Sequence, residues 1–431
     1  MKHSYNVLLV FLVIFNFKIP VIQYSAVFAC MLSTVTYARH PKYIAVLKKT
    51  ASKKYIAAVP LTLLGLILLL PLSPILHQTY DFAILKPYFL QLILICITIY
   101  ILPILIINAE ENIFLYFLKI IVTVFFIQSL IEIFAFMLPP FANLVHFFQK
   151  SEIAEMNMGG LRALALTGNP FFSLSASFGL LYIILFKYFQ EQGHRIFSLS
   201  NVGVFAVCVI GTFFAGRTGF IGILFGLALL IFSARSIYFK LGSIVKIFSI
   251  LTIAIGIIIL LLPAEIYDLV VDKLLPFAFE FVYSYIEGGT VTTTSTDALS
   301  NMYFPISIQT FILGDGRYMD FNGSGYYMST DAGYMRQILF FGVFGILAMF
   351  IYQMVYFVKP VLVALNRRLL SQRYNDLLFF LIVFAYMLLV HYKGEVIGFL
   401  PEIQIMLLIM FTGYLSQYYF SPIAKYPANE E

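Results

Sequence analysis

Four arginines stand where a cation is costly, at or beside the ends of apolar runs: Arg162, Arg217, Arg317 and Arg336. Arg217 occupies the turn Gly216-Arg217-Thr218-Gly219, and Arg336 closes the stretch Asp331-Ala332-Gly333-Tyr334-Met335-Arg336. Arg317 follows Gly314-Asp315-Gly316, and Arg162 precedes Thr167-Gly168-Asn169-Pro170. A charge at membrane depth is unfavourable by roughly 2.5–3.5 kcal/mol, so such groups usually face a cavity or a partner. Guanidinium forks bind phosphate oxygens two at a time, which makes these arginines, with Asn169, a candidate clamp for an anionic group. Two plainer readings stay open. Arg217 and Arg336 can snorkel to an interface, and Asn169-Pro170 is a turn and helix-start signal in its own right.

For proton transfer, Asp331 and Glu395 are the carboxylates nearest to span ends and are expected to be accessible. Asp331 suits a general base, or it caps the helix that follows. Glu395 and Lys393, in His391-Tyr392-Lys393-Gly394-Glu395, are candidate substrate contacts, with an ordinary ion pair between them as the alternative. Glu132 falls inside an apolar run, where an ionisable group is functional by default; a protonated Glu bonded to a neighbouring helix is the other reading. No phosphate-binding Gly-rich loop, HExxH or Cys/His metal spacing occurs, so the expected site has no metal and no cofactor. The cysteines Cys30, Cys96 and Cys208 all lie in apolar runs and define no disulfide framework.

The elements that must carry these residues follow from composition. The chain is 61% hydrophobic and 11% charged, with a mean hydropathy of +0.94, whereas a soluble domain carries about 25% charged residues. Apolar runs near membrane-crossing length recur throughout, and in lipid they must be helices because the backbone has to satisfy itself. The fold class is therefore all-α: a polytopic membrane protein forming one membrane domain over 1–431. Twelve spans are expected, at Asn6–Phe17, Val21–Ala38, Ile56–Leu76, Tyr88–Asn108, Ile113–Leu138, Phe171–Phe189, Val202–Ala215, Phe220–Ser233, Ile247–Leu262, Ile338–Val358, Leu377–Val390 and Ile403–Phe420. The basic block from Arg39 to Lys54, with Arg235, Lys240, Lys246, Lys359, Arg367 and Arg368, marks the cytoplasmic side. Both termini are then cytoplasmic. Trp is absent, so the 29 tyrosines must supply much of any aromatic belt. The net charge of +6 reflects this sidedness and gives no argument for nucleic acid.

Two external loops result, a smaller one over 139–170 and a large one over 264–337. The large loop opens on an amphipathic segment, with Ile266, Leu269, Val270 and Leu274 opposite Glu265, Asp268 and Asp272, suited to the interface plane. Thr290–Thr296 reads as flexible. Ala298–Leu313 is helix-compatible, interrupted by Pro305.

In this order and topology the motifs resemble the O-antigen polymerase and O-antigen ligase superfamily of bacterial polysaccharide assembly. Arg162 with Gly168-Asn169-Pro170, Gly216-Arg217-Thr218-Gly219, the large external loop with Gly314-Asp315-Gly316, and Asp331 to Arg336 before Phe341-Gly342-Val343-Phe344-Gly345 carry the resemblance. Thr296–Met302 lacks an arginine that the family often places early in the loop's second helix. The resemblance implies glycosyl transfer at the outer face of the bacterial inner membrane. A sugar chain on undecaprenyl pyrophosphate would move onto a lipid-linked repeat unit, without a metal. Asp331 in place of the ligases' loop histidine favours a polymerase. A ligase to lipid A core and a flippase of lipid-linked oligosaccharide are the rivals. Implied partners are the undecaprenyl-pyrophosphate-linked glycans, membrane lipid and a chain-length regulator.

Overall fold

The computed structural model describes residues 2–109, 112–149, 164–192, 199–233, 280–289, 293–323 and 325–419, with isolated positions between 242 and 276. Arg162, the span over 247–262 and the amphipathic segment over 266–274 lie largely or wholly outside the described residues. Among the described residues every regular element is a helix, apart from one isolated bridge between Met319 and Tyr326. Among the described residues six helices are long and apolar enough to cross a membrane: Lys54–Leu76, Leu85–Ile107, Ile113–Met137, Phe172–Gln192, Gly333–Leu365 and Leu370–Lys393. Lys2–Phe15, Asn201–Ala215 and Thr218–Ile231 are shorter apolar helices. The described residues bear out the all-helical class read from composition, with helices long and apolar enough to cross a membrane.

The chain divides into two compact units. The first comprises Met1–Ile14, Ala26–Phe117 and Ala298–Glu431, and the second Phe15–Ser25 and Leu118–Asp297.

In the first unit the interior is aromatic, and some of its buried polar groups meet one another. Gln91 donates to the Tyr352 hydroxyl at 3.1 Å, and Tyr352 and Tyr356 share a hydrogen bond of 2.9 Å, all three being buried. The helix Gly333–Leu365 is broken at Gly342, whose φ of 63° and ψ of −154° only glycine adopts readily. A kink frees carbonyls from the helical ladder, and buried carbonyls need new donors. Here Leu339 and Phe340 receive them from outside the helix. The Asp315 amide donates to Leu339 O at 2.6 Å, the Gly316 amide to Phe340 O at 3.2 Å, and the Ser73 hydroxyl to Phe340 O at 2.5 Å. The Gly314-Asp315-Gly316 turn is thus docked on the kink.

One expectation for the large loop changes. Thr290–Thr296 was expected to be flexible, yet a helix starts at Thr294 and runs to Asn301, with Thr293 taking the amide of Thr296 on its hydroxyl. Beyond Pro305 the chain turns helical again at Ile308–Leu313, capped by the Ser307 side chain.

In the second unit, Phe172–Gln192 is enclosed on nearly all sides, and its serines and Gly179 allow close packing. A Cβ on Gly222 would fall 2.0 Å from Gly179 O, so the helices Thr218–Ile231 and Phe172–Gln192 touch backbone to backbone. Lys187 lies buried inside Phe172–Gln192 and pairs with Glu191 at 2.9 Å. The four-carbon stem is covered by the bundle and the charge is met one turn on. Glu132 is fully buried, and neither carboxyl oxygen has a hydrogen-bond partner among the described residues.

Candidate functional site

Within the first unit, one cluster gathers the sequence's candidates around Arg336 and Glu395. Arg336 sits in the first turn of Gly333–Leu365 and is only 5% exposed, so it is not a snorkelling residue. Its guanidinium carbon lies 3.6 Å from the centre of the Tyr326 ring, 4.0 Å from Tyr318 and 4.9 Å from Phe399. Aromatic faces stabilise a desolvated cation. Nη1 is 3.7 Å from Glu395 Oε2, while Nε and Nη2 have no hydrogen-bond partner among the described residues. A buried donor without an acceptor is costly, so these two nitrogens suit an acceptor brought by a ligand.

Glu395 was expected to be accessible, with an ion pair to Lys393 as the alternative to a substrate contact. The structure buries it and gives it other partners. Oε1 accepts from the Tyr88 hydroxyl at 3.1 Å and from Gln337 Nε2, and Oε2 accepts from the Tyr318 hydroxyl at 2.7 Å. The reason is local: Leu370–Lys393 ends at Gly394, and the chain then turns inward through Glu395 and Val396, both buried. Burial pushes the Glu395 carboxyl up to about 7, against the pull of Arg336, Tyr88 and Gln337. With both oxygens occupied, Glu395 is a holder of donors rather than an open base.

Tyr318 is delivered to this carboxylate by Asp81. Asp81 Oδ2 accepts from the amides of Tyr318 at 2.8 Å and Met319 at 2.7 Å. The Thr79 hydroxyl donates to Gly316 O. Asp315 is spent on structure, accepting from the Thr310 hydroxyl at 2.9 Å and facing Tyr327 Oη at 3.4 Å. Arg317 lies half-buried with its guanidinium 4.1 Å from the centre of the Phe321 ring.

Asp331 stands exposed at the edge of the same unit. The N-cap of Gly333–Leu365 is Ala332, with no side-chain cap, so the capping reading of Asp331 is not what the structure shows. Loss of surrounding water raises its carboxyl above the ordinary range, and the Lys393 ammonium opposes this. Tyr326, whose ring covers Arg336, feels the charges of both Glu395 and Asp331. Nearby, Tyr303 and Tyr392 stack with rings 4.7 Å apart and 6° from parallel, and the Tyr303 hydroxyl donates to Tyr392 O at 2.6 Å. Two flat stacked rings, one exposed and one partly buried, offer a surface on which a sugar ring can lie.

Arg217 belongs to the second unit. Gly216, at φ 135°, makes the turn, and Ser175 braces it by donating to Gly216 O at 2.7 Å and accepting from the Gly219 amide at 3.0 Å. Arg217 pairs with Glu280, whose other oxygen accepts from the Thr294 amide at 2.7 Å. In the same unit Thr167 and Gly168 both donate to Phe15 O, at 3.2 and 2.8 Å, and the Asn169 amide donates to the Thr167 hydroxyl at 3.3 Å. That turn closes the end of the first helix, so its backbone has a structural task.

Sequence reasoning did not single out Tyr88, Tyr318, Gln337, Asp81 or Glu280. Among the described residues no group of His, Cys, Asp and Glu forms a metal-holding cluster. No family model matches the chain, and no curated protein and no solved structure matches it.

Proposed function

We propose that the chain is a membrane glycosyltransferase that polymerises undecaprenyl-pyrophosphate-linked oligosaccharide repeat units, as in O-antigen or related capsular or exopolysaccharide assembly. In this reading about twelve spans cross the bacterial inner membrane, both termini are cytoplasmic, and the Arg336 cluster faces the periplasm. The observation that carries it is Arg336, a buried guanidinium with two nitrogens that meet no acceptor among the described residues. A pyrophosphate is the ligand that such a fork fits, and it is also the leaving group of the reaction.

The chemistry needs little else. The acceptor hydroxyl of a lipid-linked repeat unit gives its proton to Asp331 and attacks the anomeric carbon of the growing chain. The bond to undecaprenyl pyrophosphate breaks, and its developing charge falls on Arg336. Donors already aimed at developing charge are the largest single source of such stabilisation. Glu395, tied to Tyr88, Tyr318 and Gln337, keeps Arg336 in place. The stacked Tyr303 and Tyr392 support a sugar ring. Arg217 is a second anion-binding candidate in its own unit, with Glu280 as its partner.

The test is the lipid-linked glycan profile of a deletion strain, together with turnover by purified protein on lipid-linked repeat units. Single repeat units left on lipid at the outer face, and chains made in vitro, are expected. Full-length chains that stay unattached would show a ligase, and repeat units trapped inside would show a flippase.

A further inference from the structure

At the far end of the first unit from Arg336 lies an open groove of about 850 Å³, between the start of Lys54–Leu76, the second half of Gly333–Leu365 and the end of the helix Pro401–Tyr419. Lys359 is on the same helix as Arg336, beyond the kink, and at about 1.5 Å per residue it is roughly 25 Å or more along. The groove is a different place from the site above.

Its walls have two characters. Leu347, Ile351 and Val358 are exposed, line it, and repeat at helical spacing as one apolar stripe. Lys53, Lys54 and Lys359 line it as well, and among the described residues no carboxylate does. Thr412 adds an independent sign. It lines the groove at 1% exposure, and its hydroxyl has no hydrogen-bond partner among the described residues. A threonine inside a helix normally finds one in the carbonyl a turn back, as Thr98 and Thr123 do in this chain. The unmet hydroxyl of Thr412 is suited to a ligand oxygen.

We propose that this groove retains one anionic diacyl phospholipid, with its phosphate at Lys53, Lys54 and Lys359 and an acyl chain along the Leu347–Val358 stripe. Basic pockets between membrane helices hold anionic headgroups because the cations meet the phosphate while the tail covers apolar helix faces. The lysines also belong to the side that the charge distribution marks as cytoplasmic, where the anionic lipid surface lies. The Thr412 hydroxyl donates to an ester oxygen. The proposal stands whether or not the protein is a polymerase.

The test is native mass spectrometry of the full chain in detergent, titrated separately with phosphatidylglycerol and with phosphatidylcholine. Wild type is expected to bind one phosphatidylglycerol at least about tenfold more tightly than phosphatidylcholine, given the attraction of each lysine near an anionic surface. The triple variant Lys53→Gln, Lys54→Gln, Lys359→Gln should lose that preference. Ile351→Trp fills the groove with the lysines intact and should reduce phosphatidylglycerol binding by a similar factor, which keeps the test decisive if the triple variant does not fold. Equal binding of the two lipids by wild type, or phosphatidylglycerol binding as tight as wild type's in both variants, would overturn the proposal.

Discussion

Arg336 and Glu395 stand 3.7 Å apart, too far for a hydrogen bond, although both are buried. A pair that served only to neutralise itself would close to about 2.8 Å. Instead the carboxylate is occupied by Tyr88, Tyr318 and Gln337, and the guanidinium is held by rings with donors to spare. If those donors meet a pyrophosphate, Arg336→Lys keeps the charge and loses the fork. Polymerisation by the purified variant is expected to fall by about 10²–10³, as for a lost transition-state donor. Unchanged turnover at an unchanged membrane level would return Arg336 to a structural role.

The Glu395 carboxyl stands at about 7 in the folded protein, above its ordinary 4.5. Between those values the folded state binds more protons than the unfolded chain, so the contribution to stability is complete at the lower end and is lost as pH rises through the higher. The Tm in detergent should therefore decline from pH 4.5 to 7 on account of this residue. Glu395→Gln cannot ionise and should flatten that decline. A slope equal to wild type's would place the titration elsewhere.

Asp331 makes no cap, so replacing it with asparagine should leave Tm unchanged. As a base, it should lower turnover by about 10²–10⁴ when it can no longer take a proton. Near-normal rates on a lipid-linked repeat unit would remove Asp331 from the mechanism.

Arg217 tests the second unit separately. Arg217→Lys is expected to shorten chains to a single repeat, and Glu280→Gln to weaken the same function less, since it leaves the guanidinium in place. The readout is glycan length on gels, normalised to protein in the membrane. Full-length chains in Arg217→Lys would mean that the pair with Glu280 is only structural.

Gly342→Ala should fail on backbone grounds. The conformation alone costs about 1–3 kcal/mol for another residue, and the new Cβ would fall 2.2 Å from Ile312 O. Lower yield and Tm are expected. Gly65→Ala, where a Cβ meets nothing within 4 Å, should gain roughly 0.5–1 kcal/mol as a helix control.

The class of fold was legible because hydropathy alone dictates it, and Arg336 was legible because a cation at the start of a span needs a reason. The burial of Glu395 was not, since His391–Glu395 reads as a polar loop until Gly394 turns the chain inward. Tyr88 and Tyr318 were hidden for a different reason. In a chain with 29 tyrosines and no Trp, any tyrosine near a span end looks like an interfacial anchor. Glu280 and Asp81 act on partners 63 and 237 residues away, and a one-sequence pattern holds no sign of such pairings.

The double grip of Asp81 on the Tyr318 and Met319 amides has a consequence for biosynthesis. Its partners leave the ribosome 237 residues later, a delay on the order of 10–50 s at about 5–20 residues per second. During that interval the turn after the Lys54–Leu76 span lacks two of its bonds, and the carboxylate of Asp81 has only the Ala83 amide nearby. The cluster around Glu395 is therefore assembled last, and a chain halted before Tyr318 carries its first spans without a site.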